Sequence, residues 1–305
     1  MRVLLILLCL FSSAVSAKET LCGKNYSYLV FDVESREVLL QKDAEIILYP
    51  ASLTKVMTLH LVFDALKSGK LNLDQKLVFS ARGEEVSKVN KVNTLNAKEG
   101  DKISVRQAIQ AVIIKSFNEA AVVLAEAVAG DEWNFARLMN KKAQELGMIN
   151  SSFRNSSGLH EDGQYTTSYD LARLVISIKK NHQNFYHFFA QKKFTYRGNE
   201  YETANKIINS YEGAEGMKTG FTNAAGFNLI STAKYRDKRV GAVVMSCSDS
   251  NLRYRLSEEL LDRGFDAALD EKLFAVKIAN NFDYKDSTEK YASLLFRSGG
   301  NILIP

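Results

Sequence analysis

Three short groups of residues in this chain could together carry out acyl transfer. Ser52 and Lys55 lie three apart in Tyr49-Pro50-Ala51-Ser52-Leu53-Thr54-Lys55, so on a helix they share one face about a turn apart. A serine hydroxyl is a weak nucleophile near neutral pH, and a desolvated, neutral lysine is one known base for it. The following run, Val56 to Phe63, is apolar nearly all round, as in a buried helix. A serine opening such a helix also has free backbone N–H groups beside it. Ser116 and Asn118, in Ser116-Phe117-Asn118, stand between two apolar helical runs, where a loop can point into a cleft. Lys218-Thr219-Gly220 brings a cation, a hydroxyl and a small residue onto a strand-like run.

Spacing alone decides little, because Ser-x-x-Lys recurs at Ser177/Lys180 and Ser231/Lys234. The former falls at a polar helix end, where a lysine favours the dipole. The latter falls on a strand, where residues three apart face opposite sides. Only Ser52/Lys55 joins helical spacing to an apolar surround. Read singly, Ser52 is a helix cap with a snorkelling lysine, and Ser116 is another cap.

The elements that must position these residues read as follows. Tyr26–Val33 and Glu37–Gln41 form a hairpin through Glu34-Ser35-Arg36. A helix runs from Ser52 to Ser68 and stops at Gly69. Leu71 to Asn96 is irregular, with weak strands at Val78-Phe79 and Val89–Leu95. Ser104-x-x-Gln107 is a capping box for a helix to Ile114. Further helices cover Glu119–Ala129, Trp133–Leu146 and Ser168–Lys180, the last capped by Thr167 or Ser168. Asn155-Ser156-Ser157-Gly158 is a turn. Phe194–Tyr196, Gly216–Thr222, Gly226–Ala233 and Arg239–Ser246 are strands, the last two joined through Tyr235–Lys238, and Asn251–Arg263 is a closing helix. Strands at both ends with helices between them predict an α+β fold whose sheet is built from both ends of the chain.

The 305 residues suit one large domain, and 46% hydrophobic with 25% charged residues is ordinary for a globular protein. Arg2, the apolar run Val3–Phe11 and the small residues ending at Ala17 read as a secretory signal peptide over residues 1–17, with an uncleaved anchor as the alternative. The expected division is therefore 1–17 signal peptide, 18–265 catalytic domain and 266–305 a short C-terminal extension. Loss of Arg2 leaves 39 basic against 35 acidic residues, spread along the chain, with no basic stripe for nucleic acid. Cys22 and Cys247 would remain after cleavage, and the reading taken is that they stay unpaired. His60, His160, His182 and His187 show no ligand spacing with acidic partners, so no metal and no cofactor are implied. His60 is read as a core or cleft-lining residue.

The ordered trio Ser-x-x-Lys, Ser-x-Asn and Lys-Thr-Gly belongs to β-lactamases and penicillin-binding proteins. The chain resembles the low-molecular-mass penicillin-binding proteins, the serine-type D-alanyl-D-alanine carboxypeptidases. The resemblance runs from about Tyr26 to Phe265 and includes Ala51–Thr58, Leu146-Gly147-Met148, Phe153, Asn155, Gly158-Leu159 and Gly216–Thr222. It implies a penicillin-binding-protein or serine β-lactamase-like fold: an antiparallel sheet flanked by helices, a mostly helical subdomain, and the active site between them.

Under that resemblance Ser52 is the nucleophile, Lys55 its base and Ser116 the proton relay to the leaving amine. Asn118 holds the substrate amide and Lys55. Lys218 and Thr219 receive the terminal carboxylate, and Gly220 leaves room for substrate along the strand edge. The backbone N–H groups of Ser52 and Phe221 form the oxyanion hole. Arg253 is either a further carboxylate reader or a solvated helix charge. Phe117 stands where many relatives have a small residue, and is expected to narrow or reshape the cleft. The implied activity is removal of the last D-alanine from peptidoglycan pentapeptides, with β-lactam antibiotics as covalent inhibitors. Cutting of cross-links by a D,D-endopeptidase is the alternative, and a non-catalytic wall-binding protein a weaker one. A β-lactamase is disfavoured because no Glu-x-x-Leu-Asn element is found. The implied location is the periplasm. Forty residues after Phe265 are too few for the family's β-rich C-terminal domain and anchor, which leaves membrane association doubtful.

Overall fold

The computed structural model describes residues 22, 23, 25–89 and 94–269. In chain order the elements are β1 (Ser27–Asp32), β2 (Val38–Lys42), a 3-10 turn at Ala51–Leu53, α1 (Thr54–Lys67), β3 (Lys76–Val78), α2 (Ala81–Val89) and β4 (Lys102–Ser104). Then come α3 (Val105–Ile114), α4 (Asn118–Ala129), α5 (Glu132–Glu145), α6 (Ser168–Asn181) and the short α7 (Gln183–Tyr186). The chain closes with β5 (Lys193–Tyr196), β6 (Asn199–Glu202), α8 (Ile207–Ser210), β7 (Ala214–Thr222), β8 (Gly226–Tyr235), β9 (Lys238–Cys247) and α9 (Ser250–Leu269).

The main sheet has the order β2-β1-β9-β8-β7, antiparallel throughout, so both ends of the chain do contribute to it. Alternation along its strands divides two cores. Leu29, Phe31, Val243 and Met245 join the core shared with α1, α3, α4 and α6, whereas Val30, Ala242 and Val244 pack with Leu260, Leu261 and Phe265 of α9. A strand buried on both faces is apolar on both, which explains the continuous runs Tyr28–Phe31 in β1 and Val240–Met245 in β9. The capping box at Ser104 and Gln107 forms as read, and Thr167 caps α6.

Four readings change. Ala81–Val89 is helix α2, not irregular chain, and Val89 ends it instead of opening a strand. Its sequence, Ala-Arg-Gly-Glu-Glu-Val-Ser-Lys-Val, has only Val86 as a buried large apolar side chain, so periodicity could not find it. The rest of that weak strand falls partly on residues outside those described. The hairpin partner β6 was also missed, because its Asn-Glu-Tyr-Glu is largely exposed. Cys22 and Cys247 form a disulfide, with Cα atoms 4.5 Å apart. The reason is topological: Ser27 pairs with Met245 in an antiparallel register, so the start of β1 and the end of β9 share one end of the sheet. Lastly, His60 and Asp64 are one turn apart on α1, and His182 packs against both. The absence of ligand spacing read from the histidines does not hold.

Candidate active site

The Ala51–Leu53 turn that carries Ser52 is clamped from three sides. Asn228 in β8 donates its side-chain N–H groups to Tyr49 O at 3.0 Å and Pro50 O at 3.1 Å. A Cβ at Gly158 would lie 1.9 Å from Ala51 O, so that position tolerates no side chain. A Cβ at Gly220 of β7 would lie 3.1 Å from Ser52 N, so a side chain there would crowd the serine turn and push the strand edge back by a few tenths of an ångström.

Lys55, in the first turn of α1, is wholly buried. Its Nζ donates to Ser52 Oγ at 3.0 Å, to Asn118 Oδ1 at 2.7 Å and to the Ser157 carbonyl. Two of these partners are carbonyl oxygens and can only accept. A neutral amine has two hydrogens and one lone pair. Its hydrogens then go to Asn118 and Ser157, and the lone pair is left facing the Ser52 hydroxyl. Burial pulls Lys55 down from 10.5 to about 7, with Glu119 and Glu132 pulling the other way. Near neutrality a substantial part of the amine is therefore in this base form.

A cleft of about 370 Å³ opens above Ser52. Ser116 and Asn118 line it between α3 and α4, opposite Thr219, Gly220 and Phe221 of the edge strand β7. Ser116 has φ 62, and its buried Oγ has no hydrogen-bond partner among the described residues. Asn118 is the first residue of α4. Lys218 lies beneath this surface, 1% exposed, with Nζ donating to Thr219 O at 2.9 Å. Burial and repulsion from Lys55 and Arg253 push its pKa well below the usual lysine range.

The family model described as D-alanyl-D-alanine carboxypeptidase, peptidase S11, matches residues 14–249. The chain belongs to this family. It is 35% identical to D-alanyl-D-alanine carboxypeptidase DacC of Escherichia coli over 244 residues, covering 78% of this chain and 60% of that one. The chain thus spans well under two thirds of that relative's length. Penicillin-binding protein 5 from Haemophilus influenzae superposes with a TM-score of 0.75 at 30% identity, over 79% of this chain and 70% of that chain. Penicillin-binding protein D2 from Listeria monocytogenes in its ampicillin-bound form gives 0.69 at 30% identity, over 78% and 96%. The penicillin-binding-protein fold implied by the resemblance is the fold of this chain.

One reading of this carboxypeptidase-family site needs correction, and one left open in the sequence is decided. Phe117 does not narrow the cleft: it is 2% exposed and packs edge-on against Tyr201 with ring centroids 5.4 Å apart. The backbone at Ser116 and Phe117 sends the serine into the cleft and the phenylalanine into the core. Arg253 is not a solvated charge. It is buried in the first turn of α9, lines the cleft, and its Nη1 donates to Gly220 O at 3.3 Å and Asn228 O at 3.1 Å. The half-exposed ring of Phe221 stacks on Phe227 at 4.3 Å and lines the cleft wall.

Several contributors were not legible as motif residues. Ser157 acts through its carbonyl, which no residue type announces. Glu132 accepts from Ser156 N at 3.1 Å and Ser156 Oγ at 2.6 Å, and so fixes the turn that presents that carbonyl. Thr58 donates to Ser156 O at 2.6 Å from the next turn of α1. Glu119 follows Asn118 and ties down Thr94 and Leu95. Asn228 was hidden inside a strand. Its one visible signal was an amide amid the apolar residues of β8, where a buried polar group must have partners.

Proposed function

We propose that this protein is a serine D,D-carboxypeptidase that removes the terminal D-alanine from peptidoglycan pentapeptides. The observation that carries this reading is the set of three oxygens around Lys55 Nζ, two of which can only accept, so that the neutral amine has its lone pair left for Ser52 Oγ.

The steps follow from that arrangement. Lys55 Nζ takes the hydroxyl proton as Ser52 Oγ bonds to the carbonyl carbon between the two D-alanines. The oxyanion is met by backbone N–H groups at Ser52 and Phe221. The C–N bond then breaks, with a proton passed through Ser116 Oγ to the amine, and free D-alanine leaves. Water, deprotonated by the same lysine, cleaves the ester and returns Ser52 to its starting form. Asn118 holds Lys55 and the substrate amide. Thr219, Arg253 and the buried Lys218 meet the terminal carboxylate, whose arrival favours the charged form of Lys218. Gly220 leaves the β7 edge open for the peptide to add as a strand.

β-Lactams would acylate Ser52 by the same attack, as the ampicillin-bound relative suggests. Residues 1–17 would export the chain to the periplasm, residues 18–265 form the catalytic domain, and residues 266–305 extend it. Among the described residues no helix is long and apolar enough to cross a membrane.

The test is incubation with purified muropeptides and with labelled penicillin. Release of D-alanine from pentapeptides, together with a label that is lost in Ser52→Ala, is the expected result. Conversion of cross-linked dimers to monomers without D-alanine release would replace the carboxypeptidase with an endopeptidase. A label retained in Ser52→Ala would remove the nucleophile.

A further inference from the structure

His60, Asp64 and His182 form a cluster on the far half of α1 that the reaction does not use. Their candidate ligand atoms all lie within 4.8 Å of one another. Asp64 Oδ2 is 3.4 Å from His60 Nδ1, and Asp64 Oδ1 is 3.0 Å from His182 Nε2. Both imidazoles are buried, at 2% and 0% side-chain exposure, yet His60 Nδ1 and both ring nitrogens of His182 lack a properly directed hydrogen bond. Buried polar atoms without well-directed partners are costly, and here one nitrogen of each imidazole lies beside the Asp64 carboxylate.

The surroundings set the form of these groups. Ser177 Oγ accepts from Asn181 Nδ2 at 3.0 Å and lies 2.8 Å from His60 Nε2. With the His60 proton on Nε2 and shared with Ser177, Nδ1 turns a lone pair toward the Asp64 carboxylate. Two acceptors then face each other unless a cation lies between them. This is the outer-shell arrangement by which a hydroxyl fixes the tautomer of a metal-bound histidine.

We propose that His60, Asp64 and His182 bind a divalent transition metal of the zinc type, with solvent at a fourth position on the Asp64 side. Two imidazoles and a carboxylate are borderline ligands suited to zinc, and calcium or magnesium would want more oxygens. Ligands at about 2.0–2.1 Å in a tetrahedron are roughly 3.3 Å apart, so the widest pair need close by about 1.5 Å. The ion joins α1, which carries Lys55, to the end of α6. Its competitor is the Lys142 ammonium, 3.2 Å from Asp64 and able to retire to Glu145 at 2.8 Å.

The full chain, stripped with a chelator, is titrated with zinc against a chromophoric competitor and separately with cobalt. Expected are one zinc per chain, a four-coordinate cobalt spectrum, and a melting temperature raised by about 5 °C at zinc a hundredfold above its Kd. Asp64→Asn, at a half-exposed position, and His182→Gln should each weaken zinc at least tenfold. Lys142→Gln should tighten it several-fold, which a purely structural hydrogen-bond network would not do. Absence of stoichiometric zinc in the wild-type chain overturns the proposal. So do an octahedral cobalt spectrum, zinc affinity unchanged in a folded Asp64→Asn, and affinity lowered by Lys142→Gln. Each readout is metal binding or melting, so the outcome is independent of what Ser52 acts on.

Discussion

If Lys55 is the base, acylation must follow its deprotonation. An ordinary lysine at 10.5 would be neutral in only about 0.0003 of molecules at pH 7, whereas one at about 7 is neutral in roughly half, a gain on the order of a thousandfold. That displacement corresponds to about 5 kcal/mol of bias against the charged form, set by the burial of Nζ behind Ser52. The sign is fixed: the reactive form is lost as pH falls through about 7. The second-order rate of labelling by fluorescent penicillin, which reports the free enzyme, should therefore reach half its plateau near pH 7 and flatten above pH 8. At pH 5 about 1% of Lys55 is neutral, so the rate there should be roughly fifty-fold below that at pH 7. Glu132 pulls Lys55 upward, and Glu132→Gln keeps an oxygen that can still accept from Ser156. This variant should move the midpoint to lower pH while circular dichroism shows the fold intact. A rate independent of pH between 5 and 8, or a midpoint displaced upward in Glu132→Gln, would refute the assignment of Lys55 as base.

Other perturbations read separate parts of the structure. Lys218→Ala removes the cation behind Thr219 and should weaken turnover of a D-Ala-D-Ala peptide. Wild-type activity of that variant in a D-alanine release assay would show that the terminal charge is met elsewhere. Phe117→Ala should cost about 3–5 kcal/mol, because it empties a core site against Tyr201 instead of widening the cleft. Thermal melting reduced by roughly 10 °C is expected, and an unchanged melt with altered substrate preference would return Phe117 to the cleft. The Cys22–Cys247 bond closes 225 residues, for which chain entropy allows about 5 kcal/mol. Reduction should lower the melting temperature by 10 °C or more, and no change on reduction would mean that β1–β9 pairing alone holds that end of the sheet.

The parts of the fold that sequence disclosed are those where burial writes a repeat. The strands β1, β8 and β9 and the helices α3, α4 and α6 each bury enough apolar side chains to leave a pattern. Helix α2 and strand β6 bury too few, and their local signals were weaker than those of a loop. The disulfide could not be read at all, because its cause is the register of β1 against β9, a relation across 225 positions.

At the site the division lies between side chains and backbone. In the proposed reaction Ser52, Lys55, Ser116, Asn118 and Thr219 would act through side-chain atoms that their residue types advertise, and the structure brings them to one cleft or its floor. What would aim the Lys55 lone pair at Ser52 is different in kind. The Ser157 carbonyl takes one of its hydrogens, and any residue at position 157 would present a carbonyl. The choice is made by the chain around it: Gly158 allows the turn to lie against Ala51, Glu132 grips Ser156, and Thr58 reaches back from α1 to the Ser156 carbonyl. Each of these reads in sequence as a turn glycine, a helix-opening acid or a buried helix threonine. Replacing Ser157 itself by alanine should therefore leave the direction of the Lys55 lone pair, and acylation, nearly intact. Gly158→Ala, which alters no chemical group at the site, should displace the turn and abolish labelling. The test is penicillin labelling of the two variants side by side, and the opposite order would show that the Ser157 side chain, not its carbonyl, directs the base.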